Sequence, residues 1–109
     1  MVKKKISKKL ESVIKDYIQV IKADNTPVER VILFGSHAKG TNNKWSDVDL
    51  AIISPKFTDR FQALHYLNQR TNNREPYYIE PHGLTPADLD DKYDSLAQEI
   101  KRHGIELSF

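Results

Sequence analysis

An aspartate stands inside an apolar run. Val48-Asp49-Leu50-Ala51-Ile52-Ile53 has the composition of a buried strand, yet its second residue is a carboxylate. Asp is depleted in strands, and a carboxylate beside a core costs free energy unless it is paired or bound to a cation. Strand side chains alternate faces with period two. Val48, Leu50 and Ile52 are therefore expected to point one way, and Asp47 and Asp49 to share the other. Two carboxylates on one face repel unless a positive charge lies between them. Mg²⁺ is the hard cation that takes one or two carboxylates together with substrate phosphates. Glu80, in Tyr78-Ile79-Glu80, is a third acid in a β-like run. If its strand neighbours that of Asp49, three carboxylates converge and can hold two metal ions about 3.5–4 Å apart. Taken singly, Asp47 also reads as a turn acid after Ser46, and Glu80 as an exposed acid of an edge strand.

Upstream, the strand-like run Val31-Ile32-Leu33-Phe34 ends in Gly35-Ser36, and ten residues then separate Ser36 from Asp47. A glycine permits close backbone approach at a sharp strand-to-helix turn. The amides that open the following turn point outward and favour phosphate, and the Ser36 hydroxyl adds a donor. A glycine-serine pair alone is equally an ordinary turn. Beside two acids it supplies the phosphate half of a triphosphate–Mg²⁺ site.

The rest of the chain predicts one small domain. Its 109 residues, 39% hydrophobic and 29% charged, suit a single soluble globule. There is no cysteine, so no disulfide framework forms, as expected of a reducing, cytoplasmic compartment. No apolar stretch approaches the roughly 20 residues that span a bilayer, and no apolar segment follows the basic start to make a signal peptide. Residues 1–74 carry 14 basic and 7 acidic side chains, and residues 75–109 carry 3 and 8. A positive portion of this kind attracts polyanions such as a nucleoside triphosphate.

Leu10, Val13, Ile14, Tyr17 and Ile21 fall at helical spacing, which predicts a helix over 7–23 with Ser7 as its N-cap. Strands are expected over 28–34, 48–54 and 77–80, with a short helical turn through Ala38 between the first two. Thr58 is a candidate cap for a helix over 59–70. Thr85-Pro86-Ala87-Asp88 has the pattern of a capping box, and Ser95-Leu96-Ala97-Gln98 repeats it before a last helix ending at Gly104. Ile105, Leu107 and Phe109 alternate as a short terminal strand would. Interleaved strands and helices with short connections predict an α/β (α+β) fold around one small mixed sheet.

With these residues in place, Gly35-Ser36, ten residues, then Asp47-x-Asp49 resembles the signature of the DNA polymerase β-like nucleotidyltransferase superfamily. The longer string FGSHAKGTNNKWSDVDLAII, with IEPHGLTPADL and LAQEIKRHGIEL, resembles the minimal nucleotidyltransferases over nearly the whole chain. The resemblance implies a palm-like mixed sheet flanked by helices. It implies phosphate binding by Gly35 and Ser36, and catalytic metal binding by Asp47, Asp49 and, where many relatives carry Asp, Glu80. It implies two Mg²⁺ ions, ATP as substrate and transfer of AMP to an acceptor hydroxyl. It further implies a helical HEPN-family partner encoded nearby, which such transferases neutralise as antitoxins by adenylylating a tyrosine or by binding.

Other residues carry less. His37 stands where relatives often have Arg or Tyr, and reads either as a phosphate contact or as an exposed helix-start histidine. Trp45 reads as a plug of the sheet edge ahead of a base-stacking role. Lys39 and Lys44 read as solvated ahead of neutralising phosphate, His82 after Pro81 reads as structural ahead of approaching the site, and His65 and His103 read as structural. Zinc spacing, a serine-histidine-aspartate arrangement and the G-x-x-x-x-G-K-[ST] loop are all missing from the sequence. Two rivals to the transferase remain: a non-catalytic module that holds a partner, and nucleic-acid binding through Lys3, Lys4, Lys5, Lys8 and Lys9.

Overall fold

The computed structural model describes residues 6–71 and 77–109, so Lys3, Lys4 and Lys5 lie outside the described residues. The chain runs α1 (Lys8–Ala23), β1 (Arg30–Phe34), α2 (Ser36–Lys39), β2 (Val48–Ile53), α3 (Arg60–Asn68), β3 (Ile79–Leu84), α4 (Pro86–Leu89), α5 (Ser95–His103) and β4 (Ile105–Leu107). The four strands form one sheet in the order β3-β2-β1-β4. β1 is antiparallel to β2 and to β4, and β2 is parallel to β3, so the sheet is mixed as expected.

Each face of the sheet has its own core. On one side Leu10, Ile14, Tyr17, Ile18 and Ile21 of α1 meet Val31 and Leu33 of β1, and Val48, Leu50 and Ile52 of β2. Ala63 and Leu67 of α3 close the same side, and the Tyr17 hydroxyl donates to the Leu67 carbonyl across 2.8 Å, joining α1 to α3. Burying one large apolar side chain contributes about 1.5–3 kcal/mol, so the α1 stripe is a main source of stability. On the other side Ile32, Phe34, Ala51, Ile53 and Leu84 pack against Leu89 and Ile100 from α4 and α5.

Caps decide where the helices begin. The Ser7 hydroxyl accepts from the Leu10 amide at 3.1 Å, as expected for α1. Thr85 and Asp88 close the expected capping box at α4. At α3 and α5 the cap differs from the expectation. Asp59, not Thr58, accepts from the Phe61 and Gln62 amides. Asp94, not Ser95, accepts from the Leu96 and Ala97 amides. A carboxylate is as good an N-cap as a hydroxyl and adds favourable charge at the helix start. Asp94 also holds the Arg60 guanidinium and so ties α3 to α5.

β3 runs past its expected end at Glu80, through Pro81, to Leu84. Among the described strands it stands at the edge of the sheet, beside β2. The Tyr78 and Leu84 carbonyls accept from the amides of Val48, the first residue of β2, and Ser54, just past its end, so even-numbered residues face β2. Pro81 falls on the outward phase, where no N–H is needed.

Candidate functional site

The sheet register brings the site together. Phe34 pairs with Asp49, and Asp49 pairs with Glu80, so one row across the sheet reads Phe34, Asp49, Glu80. Directly paired residues share a face. Here it is the α4–α5 face, because Phe34 and Ala51 belong to the core on that side. Asp49 is half-buried and Glu80 exposed, at the end of the sheet where β1 gives way to Gly35.

At Gly35 the backbone takes φ 72° and ψ −153°, a conformation open to glycine and strained for other residues. A Cβ there would collide with Asp49 Oδ2 and stand 3.0 Å from its Cγ. The turn therefore lies against the Asp49 carboxylate, and glycine is required both for the dihedrals and for the space. Ser36 opens the single turn of α2, whose first amides have no acceptor within the helix. The Ala38 and Lys39 amides bond back to the Gly35 carbonyl at 3.1 Å and fix the turn.

The electrostatics are one-sided. Burial pushes the Asp49 carboxyl up to about 6, helped by the charge of Glu80, a hydrogen bond shared with Glu80, and the charges of Asp47 and Glu99. The neighbouring Glu80 carboxylate disfavours ionisation of Asp49, because like charges this close repel. A divalent cation relieves the same repulsion, so the donor set fits one. Asp47 is exposed and precedes β2 rather than lying in it, yet its charge still reaches Asp49. The chain thus places Asp49 and Glu80 side by side, with Asp47 outside the strand at the mouth.

His82 is the group that sequence reasoning undervalued. It shares the face of Glu80, two residues on, and pairs in register with Ala51. Donor atoms of Asp49, Glu80 and His82 lie within 4.8 Å of one another. Its Nε2 is 3.9 Å from Glu80 Oε1, and its ring packs on Phe34 with centroids 5.4 Å apart. Burial lowers its pKa, opposed by the charge of Glu80. The available signal was the period of two from Glu80.

Three guarded readings change. Trp45 is 80% exposed, so it does not plug the sheet edge; Lys44 lies over its ring at 4.9 Å. Lys39 is not merely solvated but pairs with Glu99 at 2.9 Å, tying α2 to α5. His37 Nε2 approaches the Ser46 carbonyl at 3.4 Å and links α2 to the loop that carries Asp47. A cavity lined by Asp24, Phe57, Gln62 and Tyr66 opens elsewhere, and none of the site acids lines it. Among the described residues no helix is long and apolar enough to cross a membrane.

Comparison with known proteins agrees with this architecture. A candidate nucleotidyltransferase from Sulfolobus solfataricus superposes with a TM-score of 0.55 at 21% identity, covering 76% of this chain and 73% of its own. A chain of a toxin–antitoxin complex with AMP-PNP superposes with a TM-score of 0.55 at 22% identity, covering 86% of this chain and 71% of its own. At these identities the likeness is one of fold. Curated protein sequences give no significant match. Residues 14–106 match the family model of the nucleotidyltransferase domain. That match takes in both strands of the acidic row, the Gly35 turn and α5, and the chain belongs to the nucleotidyltransferase domain family.

Proposed function

We propose that this nucleotidyltransferase moves AMP from ATP to a hydroxyl of a protein, a tyrosine of a HEPN-family toxin, and so acts as an antitoxin. The observation that carries the chemistry is the contact of the Gly35 turn with the Asp49 carboxylate, itself paired with Glu80. It supports reading the turn as the phosphate-binding half and the acid pair as the cation-binding half of one site. Asp47, Asp49 and Glu80 would hold Mg²⁺, which neutralises phosphate charge and polarises the phosphorus when bound. Ser36 and the amides after Gly35 would hold the terminal phosphates. The acceptor hydroxyl gives its proton to Glu80 or to solvent as its oxygen bonds to the α-phosphorus, the bond from that phosphorus to the bridging oxygen of the β-phosphate breaks, and pyrophosphate leaves. This chain contributes position and charge, the usual main terms in such transfers. The toxin partner rests on the resemblance to minimal nucleotidyltransferases and on the fold shared with a chain of a toxin–antitoxin complex.

With Mg²⁺ and ATP labelled at the α-phosphate, the protein should label the helical protein encoded beside it, and Asp49→Ala should not. No label, with equal neutralisation by the Asp49→Ala protein, would replace the transferase with binding alone.

A further inference from the structure

The acidic row accounts for Asp49 and Glu80 but leaves a nitrogen beside them unexplained. His82 shares their face of the sheet, is half-buried, and has its ring braced by Phe34. On one six-coordinate ion with bonds of about 2.1 Å, two donors sit about 3 Å apart when adjacent and about 4.2 Å apart when opposite. The 3.9 Å between His82 Nε2 and Glu80 Oε1 lies near the opposite-donor separation, and the three donors, all within 4.8 Å of one another, are within side-chain rotation of a shared ion. Three carboxylates offer oxygen alone and suit Mg²⁺. Imidazole is a borderline nitrogen donor that suits later first-row metals, and affinity for mixed sets rises along that series.

We propose that His82 is a nitrogen ligand at this site, and that it gives the protein a preference for a first-row transition-metal cation over Mg²⁺. The inference rests on the reading of Asp49 and Glu80 as metal ligands. Glu80 then binds between an aspartate and a histidine of its own strand. The register that places residues 80 and 82 on one face is what makes the two donors available together.

The test uses the full-length protein and Mn²⁺ alone, with no nucleotide. Pulsed electron paramagnetic resonance of bound Mn²⁺ should show ¹⁴N coupling from a directly bound imidazole, lost in both His82→Ala and His82→Gln. By calorimetry, His82→Ala should weaken Mn²⁺ binding at least about ten-fold and Mg²⁺ binding by less than about three-fold. Circular dichroism on both variants checks that they are folded. Mn²⁺ bound without nitrogen coupling, or equal weakening for the two ions, overturns the role of His82 and leaves the acid pair standing. Failure of the wild-type protein to bind either ion overturns both.

Discussion

Replacing Asp49 with asparagine should stabilise the metal-free protein while removing its chemistry. Its carboxyl is pushed up to about 6, first by burial and then by Glu80. The folded state therefore holds this proton more tightly than the unfolded chain, whose aspartates titrate near about 3.9. The stabilisation from that proton is complete below about pH 4 and is lost as pH rises through about 6. A shift of about two pH units corresponds to at most about 3 kcal/mol. Partial contact with solvent screens it, leaving about 1.5 kcal/mol. Asparagine is nearly isosteric and carries no charge to bury. Urea unfolding in EDTA should show Asp49→Asn about 1.5 kcal/mol more stable than wild type at pH 7.5. For a slope of about 1.5 kcal/mol per molar, the midpoint rises by about 1 M. At pH 4 the two proteins should nearly coincide. A variant less stable than wild type at pH 7.5, or a difference unchanged between pH 4 and 7.5, would refute the claim that Asp49 is a strained, partly desolvated acid.

Gly35→Ala forces a Cβ into the Asp49 carboxylate at a positive φ. It should cost about 1–3 kcal/mol in thermal unfolding and abolish nucleotide binding. Asp59→Ala should cost about 1 kcal/mol by loss of the α3 cap, and Thr58→Ala well under half of that; urea titration of the pair separates the two residues. Asp94→Ala removes both the α5 cap and the Arg60 partner. It should therefore cost about 1–2 kcal/mol, read by thermal melting. Trp45→Ala, at an exposed loop position, should leave the unfolding midpoint within about 0.5 kcal/mol of wild type.

Where local chemistry decides the outcome, the sequence was sufficient. Ser7 and Thr85 stand alone as cap formers at the right spacing, and both cap their helices. At Thr58-Asp59 and Asp94-Ser95 two cap formers stand in tandem, and one residue of register depends on how α3 and α5 dock. Arg60, bound to Asp94, belongs to that docking. Pro81 reads as a breaker along the chain. That it is tolerated follows from β3 standing, among the described strands, at the edge of the sheet, a property of the sheet as a whole. The pairing of Asp49 with Glu80 likewise depends on register between strands more than 25 residues apart, and the alternation around Asp49 pointed to the face but not to the partner. An approach of His82 to the site ranked below a structural role because a lone histidine after proline carries no local mark of its neighbours. Trp45 was read as a plug because large aromatics usually bury, whereas the loop around it is held by its own bonds. The Trp45 amide donates to Asn43 Oδ1, and the Asn43 amide to Ser46 Oγ.

The central claim is that the acids at 47, 49 and 80 and the Gly35-Ser36 turn form one site for a cation and a nucleotide. Calorimetric titration of a non-hydrolysable ATP analogue with Mg²⁺ into wild type and Asp49→Asn tests it most directly. The account predicts saturable binding by the wild type, dependent on Mg²⁺, and none by the variant. Binding of equal strength in both proteins, or in EDTA, or no heat from a folded wild type, would contradict it.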